Sequence, residues 1–307
     1  MVEAAAKTSE LEIETRGGAD GDIVIGKNYR DAFDRCTEEV SIHKRGERGE
    51  RLRLNAIGEV LIGGQKIKDI KLANVTPELL GTWRDQRMTG ESKVTGATVN
   101  RELNLLSHVF TTARKEWKWL AASPTSDVRR PKPAASRERI PTEDEIERLC
   151  NALGFADEPV TTKSQAVAVA YLFAIETAMR AGEICGLMPA WVAGTVARLP
   201  ASINKNGVRR DVPLSTRALE LLALLPDSGD APLFGISTAS LDALFRKARE
   251  RSCIEGLTFH DSRHAAITRL AKKLNVLDLA RMVGHRDLRM LQIYYNESAE
   301  DMAAKLG

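Results

Sequence analysis

The stretch GHRDLRMLQIYY, residues 284–295, places two tyrosines nine and ten residues after a histidine. Two shorter boxes precede it, TAMRAGE at residues 177–183 and HDSR at residues 260–263. Together the boxes contribute these candidate side chains: Arg180, His260, Arg263, His285 and either Tyr294 or Tyr295. Two arginines, two histidines and a late tyrosine can hold one phosphodiester and attack it. The set therefore predicts chemistry on DNA without a metal or a nucleotide cofactor.

Attack on a phosphodiester by a tyrosine makes three demands on its surroundings. The phenol has a reference pKa of about 10 and must lose its proton. The non-bridging oxygens gain negative charge, which arginine can grip with two parallel N–H groups while it stays charged. The departing 5′ oxygen needs a proton, which histidine or lysine can give. Lys205 is a candidate, since no other lysine lies between Arg180 and Lys247. Preorganised cations of this kind can replace a metal ion.

Each basic residue also has a simpler explanation when it is taken alone. Arg180 could form an ordinary ion pair with Glu183. His260 and Arg263 are three residues apart, so they could share the exposed face of a basic helix. Lys205 sits beside a predicted hairpin turn, where lysines are usually solvated. The order in which the boxes follow one another favours the functional interpretation.

The histidines and tyrosines have alternatives as well. His260 and His264 are spaced as a helical metal pair, but the glutamate of a His-Glu-x-x-His motif is missing, which disfavours a metal site. A buried tyrosine is more often a structural residue whose hydroxyl is hydrogen-bonded. Four isolated cysteines form no Cys-x-x-Cys pair, which disfavours zinc and indicates reduced thiols in a cytoplasm.

Composition sets the class of protein. The chain has 307 residues, of which 43% are hydrophobic and 28% charged, enough for two soluble domains. Its net charge is only +3, so any polyanion must be held by local patches. Residues 114–139 carry eight Lys/Arg against three acids, and residues 246–289 carry eleven against five. We found neither an apolar signal segment nor an apolar run long enough to span a membrane.

The periodicity of hydrophobic residues and the positions of prolines, glycines and helix caps divide the chain into four parts. Residues 1–27 read as a polar tail, residues 28–122 as a small all-helical domain, residues 123–140 as a basic linker with prolines, and residues 141–307 as a second domain. The second domain is predicted to be mainly helical, with a capping box at Thr142 and Glu145 and a helix C-cap at Gly284. Two strands, 196–203 and 208–214, are predicted to join at Asn206-Gly207. Later helices are predicted at about 215–225, 238–251, 260–274 and 276–283.

The boxes, in this order, resemble the tyrosine recombinase or phage integrase family, whose pattern is Arg, Lys, His-x-x-Arg, His or Trp, and Tyr. TAMRAGEI resembles the first-arginine box, although Ala178 stands where glycine is usual, a mild departure that could shift the turn. NKNGVRRDVPL, residues 204–214, resembles the segment with the hairpin lysine. HDSRH and VGH match the later boxes, and the family spacing of nine residues selects Tyr294 over Tyr295. Residues 100–131 look like the family's core-binding domain.

The resemblance implies a mainly α fold with a small β-hairpin or sheet, in which a helical core-binding domain precedes the catalytic domain. It implies that Arg180 and Arg263 clamp the phosphate and that Lys205 protonates the leaving 5′ oxygen. By the same resemblance His260 helps to take the tyrosine proton, His285 bonds a non-bridging oxygen, and Tyr294 is the nucleophile.

The implied activity is site-specific recombination, in which duplex DNA is cut and rejoined through a 3′-phosphotyrosyl intermediate without metal, cofactor or ATP. The implied partners are double-stranded DNA and a homotetramer on two recombination sites, with accessory DNA-bending or directionality proteins as further candidates. Three other classes stay open: a type IB topoisomerase that relaxes DNA, a DNA-binding protein with a decayed site, and a helical scaffold that does not bind nucleic acid.

Overall fold

The computed structural model describes residues 26–44, 46–91, 93–132, 139–204, 207–285, 287–295 and 303. Residue contacts divide the chain into two compact units, residues 1–136 and 137–307. Within the described ranges, no helix is both long enough and apolar enough to cross a membrane.

The first unit is built from four described helices and one short hairpin. The helices are α1 (Tyr29–Glu39), α2 (Glu47–Gly58), α3 (Pro77–Thr89) and α4 (Gly96–Lys115), and the hairpin pairs β1 (Leu61–Ile62) with β2 (Gln65–Lys66). Thr76 caps α3 through its side chain and Pro77 occupies the first turn, as the sequence predicts. The hairpin departs from the predicted all-helical domain. Its turn is Gly63-Gly64, and both glycines have positive φ, which a two-residue hairpin turn requires.

The core of the first unit forms on one face of α4. Val99, Leu103, Leu106 and Phe110 recur at helical spacing and are all at most 1% exposed. The chain after α4 also packs on this unit: Val128 is buried in the same core, and Pro131 O accepts a bond of 2.8 Å from Asn100 Nδ2. Residues 123–132 of the predicted linker 123–140 therefore contact the first unit, whereas Arg139 bonds to Glu145.

The second unit surrounds one buried helix with other helices and a three-stranded sheet. Its described helices are α5 (Glu143–Ala152), α6 (Lys163–Thr177), α7 (Ala181–Cys185), α8 (Thr216–Ala223), α9 (Thr238–Arg251), α10 (Asp261–Ala271) and α11 (Val276–Val283). A 3-10 segment, Leu288–Tyr294, follows. The core lies along α6, whose residues 166–171 are all buried. The capping box of Thr142 and Glu145 is present at the start of α5.

The sheet has antiparallel strands in the order β3 (Val192–Ala193), β4 (Val196–Leu199) and β5 (Arg210–Pro213). The predicted position of the hairpin turn is wrong. The ladder ends where Leu199 pairs with Arg210, not at Asn206-Gly207. Pro200 follows β4 directly and has no N–H to donate, and the Asn204 side chain instead donates to Val208 O at 2.6 Å. A longer loop therefore joins the strands, and Lys205 and Asn206 within it lie outside the described residues.

Candidate active site

Arg180 stands where the buried helix α6 ends and α7 begins. Ala178 ends α6 in the left-handed region, at φ +55, a conformation that glycine adopts more easily. Arg180 then adopts extended backbone and becomes the residue that caps α7. Its side chain is 22% exposed, so it is neither buried nor fully solvated. The left-handed turn therefore directs an arginine from the edge of the core toward a cleft.

Glu183 holds Arg180 in place. One oxygen of its carboxylate accepts from the Arg180 backbone N–H at 2.8 Å, and the other accepts from Arg180 Nη1 at 3.0 Å. The ion pair that the sequence offered as an alternative is thus present. It is compatible with a functional arginine, because the carboxylate is 2% exposed and anchors the guanidinium from the protein side.

The same carboxylate binds a second arginine, from β5. Arg210 Nη2 donates to Glu183 Oε2 at 2.7 Å, and Arg210 Nη1 donates to Val283 O. Burial lowers the pKa of Arg210, and the negative charge of Glu183 raises it in opposition. A buried ion pair is stable only when its remaining polar atoms find partners. Both Glu183 oxygens bind arginine nitrogens, whereas Arg210 Nε is buried without a hydrogen-bond partner among the described residues.

Arg263 lies in the first turns of α10 and is 4% exposed. It donates to two backbone carbonyls, Ala178 O and Val283 O, the latter at 2.6 Å. Burial lowers the pKa of Arg263, and the charges of Arg180 and Arg210 lower it further. Arg180, Arg210 and Arg263 thus interact electrostatically with one another, and the Glu183 carboxylate binds the first two. We call Arg180, Arg210, Arg263 and Glu183 the arginine centre.

A pocket of about 290 Å³ opens beside this centre. Arg180, His260 and Arg263 line it together with Thr238, Asp242 and Thr258. Burial lowers the pKa of His260, and the charge of Arg263 lowers it further. A neutral imidazole and two guanidinium groups at one pocket are suited to an anion such as a phosphate.

His285 reaches the same electrostatic region from the end of α11. Gly284 ends that helix at φ +70, as the sequence predicts, and the His285 N–H donates to Ala280 O at 3.0 Å. A Cβ on Gly284 would lie 3.0 Å from Arg210, so a side chain there would also crowd the arginine centre. Burial, and then the charges of Arg263, Arg180 and Arg210, lower the pKa of His285 to about 4. The imidazole is therefore neutral at pH 7.

The two late tyrosines point to different partners. The Tyr295 hydroxyl donates to Leu274 O at 2.8 Å, a structural bond to the segment between α10 and α11. The Tyr294 hydroxyl lies 3.0 Å from Nε2 and 3.2 Å from Nδ1 of His264. The charge of an ionised Tyr294 would raise the pKa of Arg263, against the lowering by burial.

The structure brings three of the six predicted site residues, Arg180, His260 and Arg263, to one pocket. His285 lines a separate pocket with Arg210 and Gly284, and Tyr294 contacts His264. Lys205 lies outside the described residues. Among the described residues, no group of three or more His, Cys, Asp or Glu side chains is placed to hold a metal ion.

Comparisons with known proteins show the family of the chain. The model of the Phage integrase family matches residues 140–301. A Haemophilus influenzae protein, provisionally named integrase/recombinase, is 35% identical over 304 residues, which cover 97% of this chain and 94% of that protein. The chain belongs to the phage integrase family.

Other members resemble the chain over most of its length. The Shufflon-specific DNA recombinase of Escherichia coli is 36% identical over 287 residues, 90% of this chain and 70% of that protein. The crystal structure of a lambda integrase tetramer bound to a Holliday junction superposes with a TM-score of 0.65 at 17% identity, over 92% of this chain and 87% of that chain. That structural likeness shows the tyrosine recombinase fold.

The sequence analysis did not identify three residues around the candidate site as contributors to it. Glu183 was considered only as a neutralising partner, Arg210 was not singled out, and His264 was considered only for a metal. Alternation along β5 could have found Arg210, since Val212 faces the core and Arg210 shares its side of the strand. No local signal distinguishes His264, because its partner Tyr294 lies 30 residues away.

A second basic cluster belongs to the first unit. Arg84, Arg129, Arg130 and Lys132 line a pocket of about 610 Å³ with Asp85 and Pro131, among others. Arg130 Nη1 donates to Asn104 Oδ1 at 2.8 Å, and Arg84 Nη1 donates to Arg129 O at 2.7 Å. The side chains of Arg129, Arg130 and Lys132 are exposed. We call these four basic residues the basic pocket.

Proposed function

We propose that this protein is a site-specific DNA recombinase that cuts and rejoins duplex DNA through a 3′-phosphotyrosyl link to Tyr294. The observation that carries the proposal is the pocket at which Arg180, His260 and Arg263 meet, with Tyr294 in the field of Arg263. Buried guanidinium groups fixed by carbonyls and a carboxylate form a preorganised binding site for a phosphate.

The proposed reaction exchanges one phosphodiester for another. The Tyr294 oxygen attacks the scissile phosphorus, and the bond from phosphorus to the 5′ oxygen breaks. Arg180 and Arg263 hold the non-bridging oxygens, and the imidazole of His285 adds a hydrogen bond to one of them. The O–H bond of Tyr294 breaks as the oxygen attacks, and the neutral imidazole of His260 helps to take that proton. Lys205 gives its proton to the departing 5′ oxygen. The 5′ hydroxyl of a partner strand then displaces the tyrosine, so the covalent intermediate keeps the bond energy and no ATP is needed.

The proposed partners follow from this chemistry. Double-stranded DNA is the substrate, and a homotetramer would hold two recombination sites, as the lambda integrase tetramer holds a Holliday junction. The helical first unit would bind DNA through its basic pocket, and the linker through its basic residues. Accessory DNA-bending or directionality proteins are further candidates, and the cytoplasm is the proposed location.

The test begins with the DNA site. Full-length protein is incubated with a library of random-sequence duplexes, each with a nick that lets the cleaved fragment diffuse away, and the covalently trapped DNA is sequenced. We expect Tyr294→Phe to bind the mapped site with unchanged affinity and to form no adduct, whereas Tyr295→Phe should form it. Adduct formation by Tyr294→Phe would refute the assignment.

Strand exchange separates recombination from its alternatives. Two duplexes with the mapped site and different fluorescent labels are mixed with the wild-type protein. Joined strands that carry both labels are the expected product. Adduct and plasmid relaxation without exchange would indicate a type IB topoisomerase, and site binding without any adduct would indicate a decayed site.

A further inference from the structure

The chain that follows α4 folds back onto the beginning of that helix. We call residues 128–132 the strap; they form neither helix nor strand. Val128 is buried in the core of the first unit, and Arg130 Nη1 donates to Asn104 Oδ1 on α4 at 2.8 Å. Basic segments with prolines often act as semi-rigid spacers between domains. This segment is instead attached to the first unit along its length.

Two polar side chains hold the backbone of the strap. Arg84 on α3 donates from Nη1 to Arg129 O at 2.7 Å, and Asn100 on α4 donates from Nδ2 to Pro131 O at 2.8 Å. The partners are 45 and 31 residues apart in the sequence. The position of the strap is therefore set by α3 and α4 and not by turns within the strap itself.

The strap also lies against the first residue of α4, Gly96. A Cβ at that position would lie 3.0 Å from Pro131 Cβ and 3.2 Å from Lys132 O. Real Cβ atoms seldom have contacts that short, so a side chain there would push the strap away from the helix. The glycine thus permits a close approach of two backbone segments.

The side chains that the strap presents are cationic. Arg129 and Lys132 are exposed and line the pocket of the first unit together with Arg84. Asp85 also lines it, but Arg84 binds that carboxylate at 2.7 Å and 2.9 Å and compensates its charge. Cations on a backbone whose position is fixed suit the regularly spaced phosphates of a DNA strand.

We propose that Asn100 and Gly96 are positioning residues for DNA, which hold the strap where Arg129 and Lys132 meet the phosphate backbone. This inference rests on the proposed function and deepens it. Neither Asn100 nor Gly96 needs to touch the DNA, because each acts through the strap. An attachment that served the fold alone would change the stability of the protein and leave its affinity for DNA unchanged.

The first experiment compares two glycines on neighbouring helices. Gly96→Ala adds the Cβ that would meet the strap, whereas Gly81→Ala on α3 adds a Cβ with nothing within 4 Å. Alanine is the better helix former, so neither change should weaken its helix. Both full-length variants are titrated with the mapped duplex at several salt concentrations. We expect Gly96→Ala to bind about 10-fold more weakly, with a slope of log K against log salt shallower by about 1, and Gly81→Ala to bind as wild type.

Asn100→Ala tests the hydrogen bond to Pro131 O. It should weaken DNA binding in the same way, and Asn55→Ala at an exposed position of α2 is the matched control. Adduct formation at saturating DNA should equal that of wild type, because the arginine centre is untouched. Weaker binding at an unchanged saturated rate is the result expected of residues that position DNA.

A double-mutant cycle identifies the groups through which Asn100 and Gly96 act. Both changes are repeated in an Arg129→Ala/Lys132→Ala protein, which lacks the exposed cations of the strap. Neither change should lower the affinity further there, because the groups that they position are already gone. Urea unfolding of each protein shows whether the fold is intact.

The outcomes distinguish this inference from the function on which it rests. Wild-type affinity in Gly96→Ala and Asn100→Ala would overturn it, even if the midpoint of urea unfolding fell. Losses of equal size with and without Arg129 and Lys132 would overturn it as well. No adduct from the wild-type chain on any duplex would instead refute the proposed function, and the same titrations on a random-sequence duplex would still decide the role of the strap.

Discussion

Cationic residues gather at two places in this molecule, and the two groups are held in opposite ways. In the arginine centre, Arg210 is 5% exposed and bonds to Val283 O and Glu183. Arg263 is 4% exposed and bonds to two backbone carbonyls. In the basic pocket, Arg129 and Lys132 are exposed. Buried guanidinium groups are fixed before a ligand binds, whereas exposed cationic groups keep their conformational freedom and stay hydrated.

The difference indicates two ways to bind the same polyanion. A fixed set of donors suits one phosphate whose charge grows during a reaction, because no reorganisation is needed at that moment. Exposed cations suit many phosphates along a backbone, because they displace counterions without demanding a particular geometry. Substitutions in the centre should therefore act on the rate or the fold, and substitutions in the basic pocket on affinity and its salt dependence.

The largest effect is expected from Arg263→Lys. A lysine keeps the charge but cannot make both carbonyl bonds and also grip a phosphate with two parallel N–H groups. Adduct formation at saturating DNA should fall by about 100-fold to 1,000-fold. The matched control is Arg269→Lys on the same helix, at a side chain that is 40% exposed and pairs with Glu176. Equal rates of adduct formation by Arg263→Lys and Arg269→Lys would contradict a special role for the buried arginine.

Arg210→Met tests whether the centre also supports the fold. The change leaves the buried carboxylate of Glu183 with one arginine instead of two, and should lower the free energy of unfolding by about 3–5 kcal/mol. Arg209→Met, at the neighbouring exposed position, should change it by less than about 0.5 kcal/mol.

Urea unfolding of both variants, together with Arg210→Met/Glu183→Gln, measures this support. The double variant removes the uncompensated charge as well, so it should recover part of the lost stability. An Arg210→Met protein as stable as Arg209→Met would mean that the buried pair contributes nothing.

Local signals in the sequence account for much of this fold, and distant pairings account for the rest. Thr76, Thr142 and Gly284 cap their helices as predicted, because a cap depends on residues within one turn. The bond from Arg210 to Glu183 spans 27 residues, and no local pattern encodes it. The sequence therefore predicted the boxes of the site but not the network that holds them.

Two turns show the limits of local signals more closely. Asn206-Gly207 was predicted to close a two-residue turn, but Pro200 ends β4 first, so the strands separate earlier. Gly63-Gly64 does form such a turn, in a domain predicted to be all helical. A turn dipeptide predicts a hairpin only if both flanking segments can pair, and that depends on the tertiary structure.

The basic pocket should show a smaller effect, on affinity alone. Arg129→Ala/Lys132→Ala removes two exposed cations, so the slope of log K against log salt should become shallower by about 2. The cleavage rate at saturating DNA should not change. Arg48→Ala/Arg53→Ala on α2 is a control of equal charge at exposed positions. A fall in the saturated rate would mean that the basic pocket takes part in chemistry.

The smallest effect is expected from a chelator. The guanidinium groups of Arg180 and Arg263 can supply the positive charge that a metal ion would supply at the phosphate. Adduct formation should therefore be equal with and without excess EDTA. Loss of cleavage that a divalent ion restores, at unchanged DNA binding, would contradict the metal-free mechanism.

The most direct measurement of the central claim is the location of the covalent link. Wild-type protein is trapped on the nicked duplex with the mapped site, digested with nuclease and protease, and the peptide that carries the nucleotide is sequenced by tandem mass spectrometry. The arrangement around the arginine centre predicts a nucleotide attached through its 3′ phosphate to Tyr294. Attachment to Tyr295, or to any residue other than Tyr294, would contradict it.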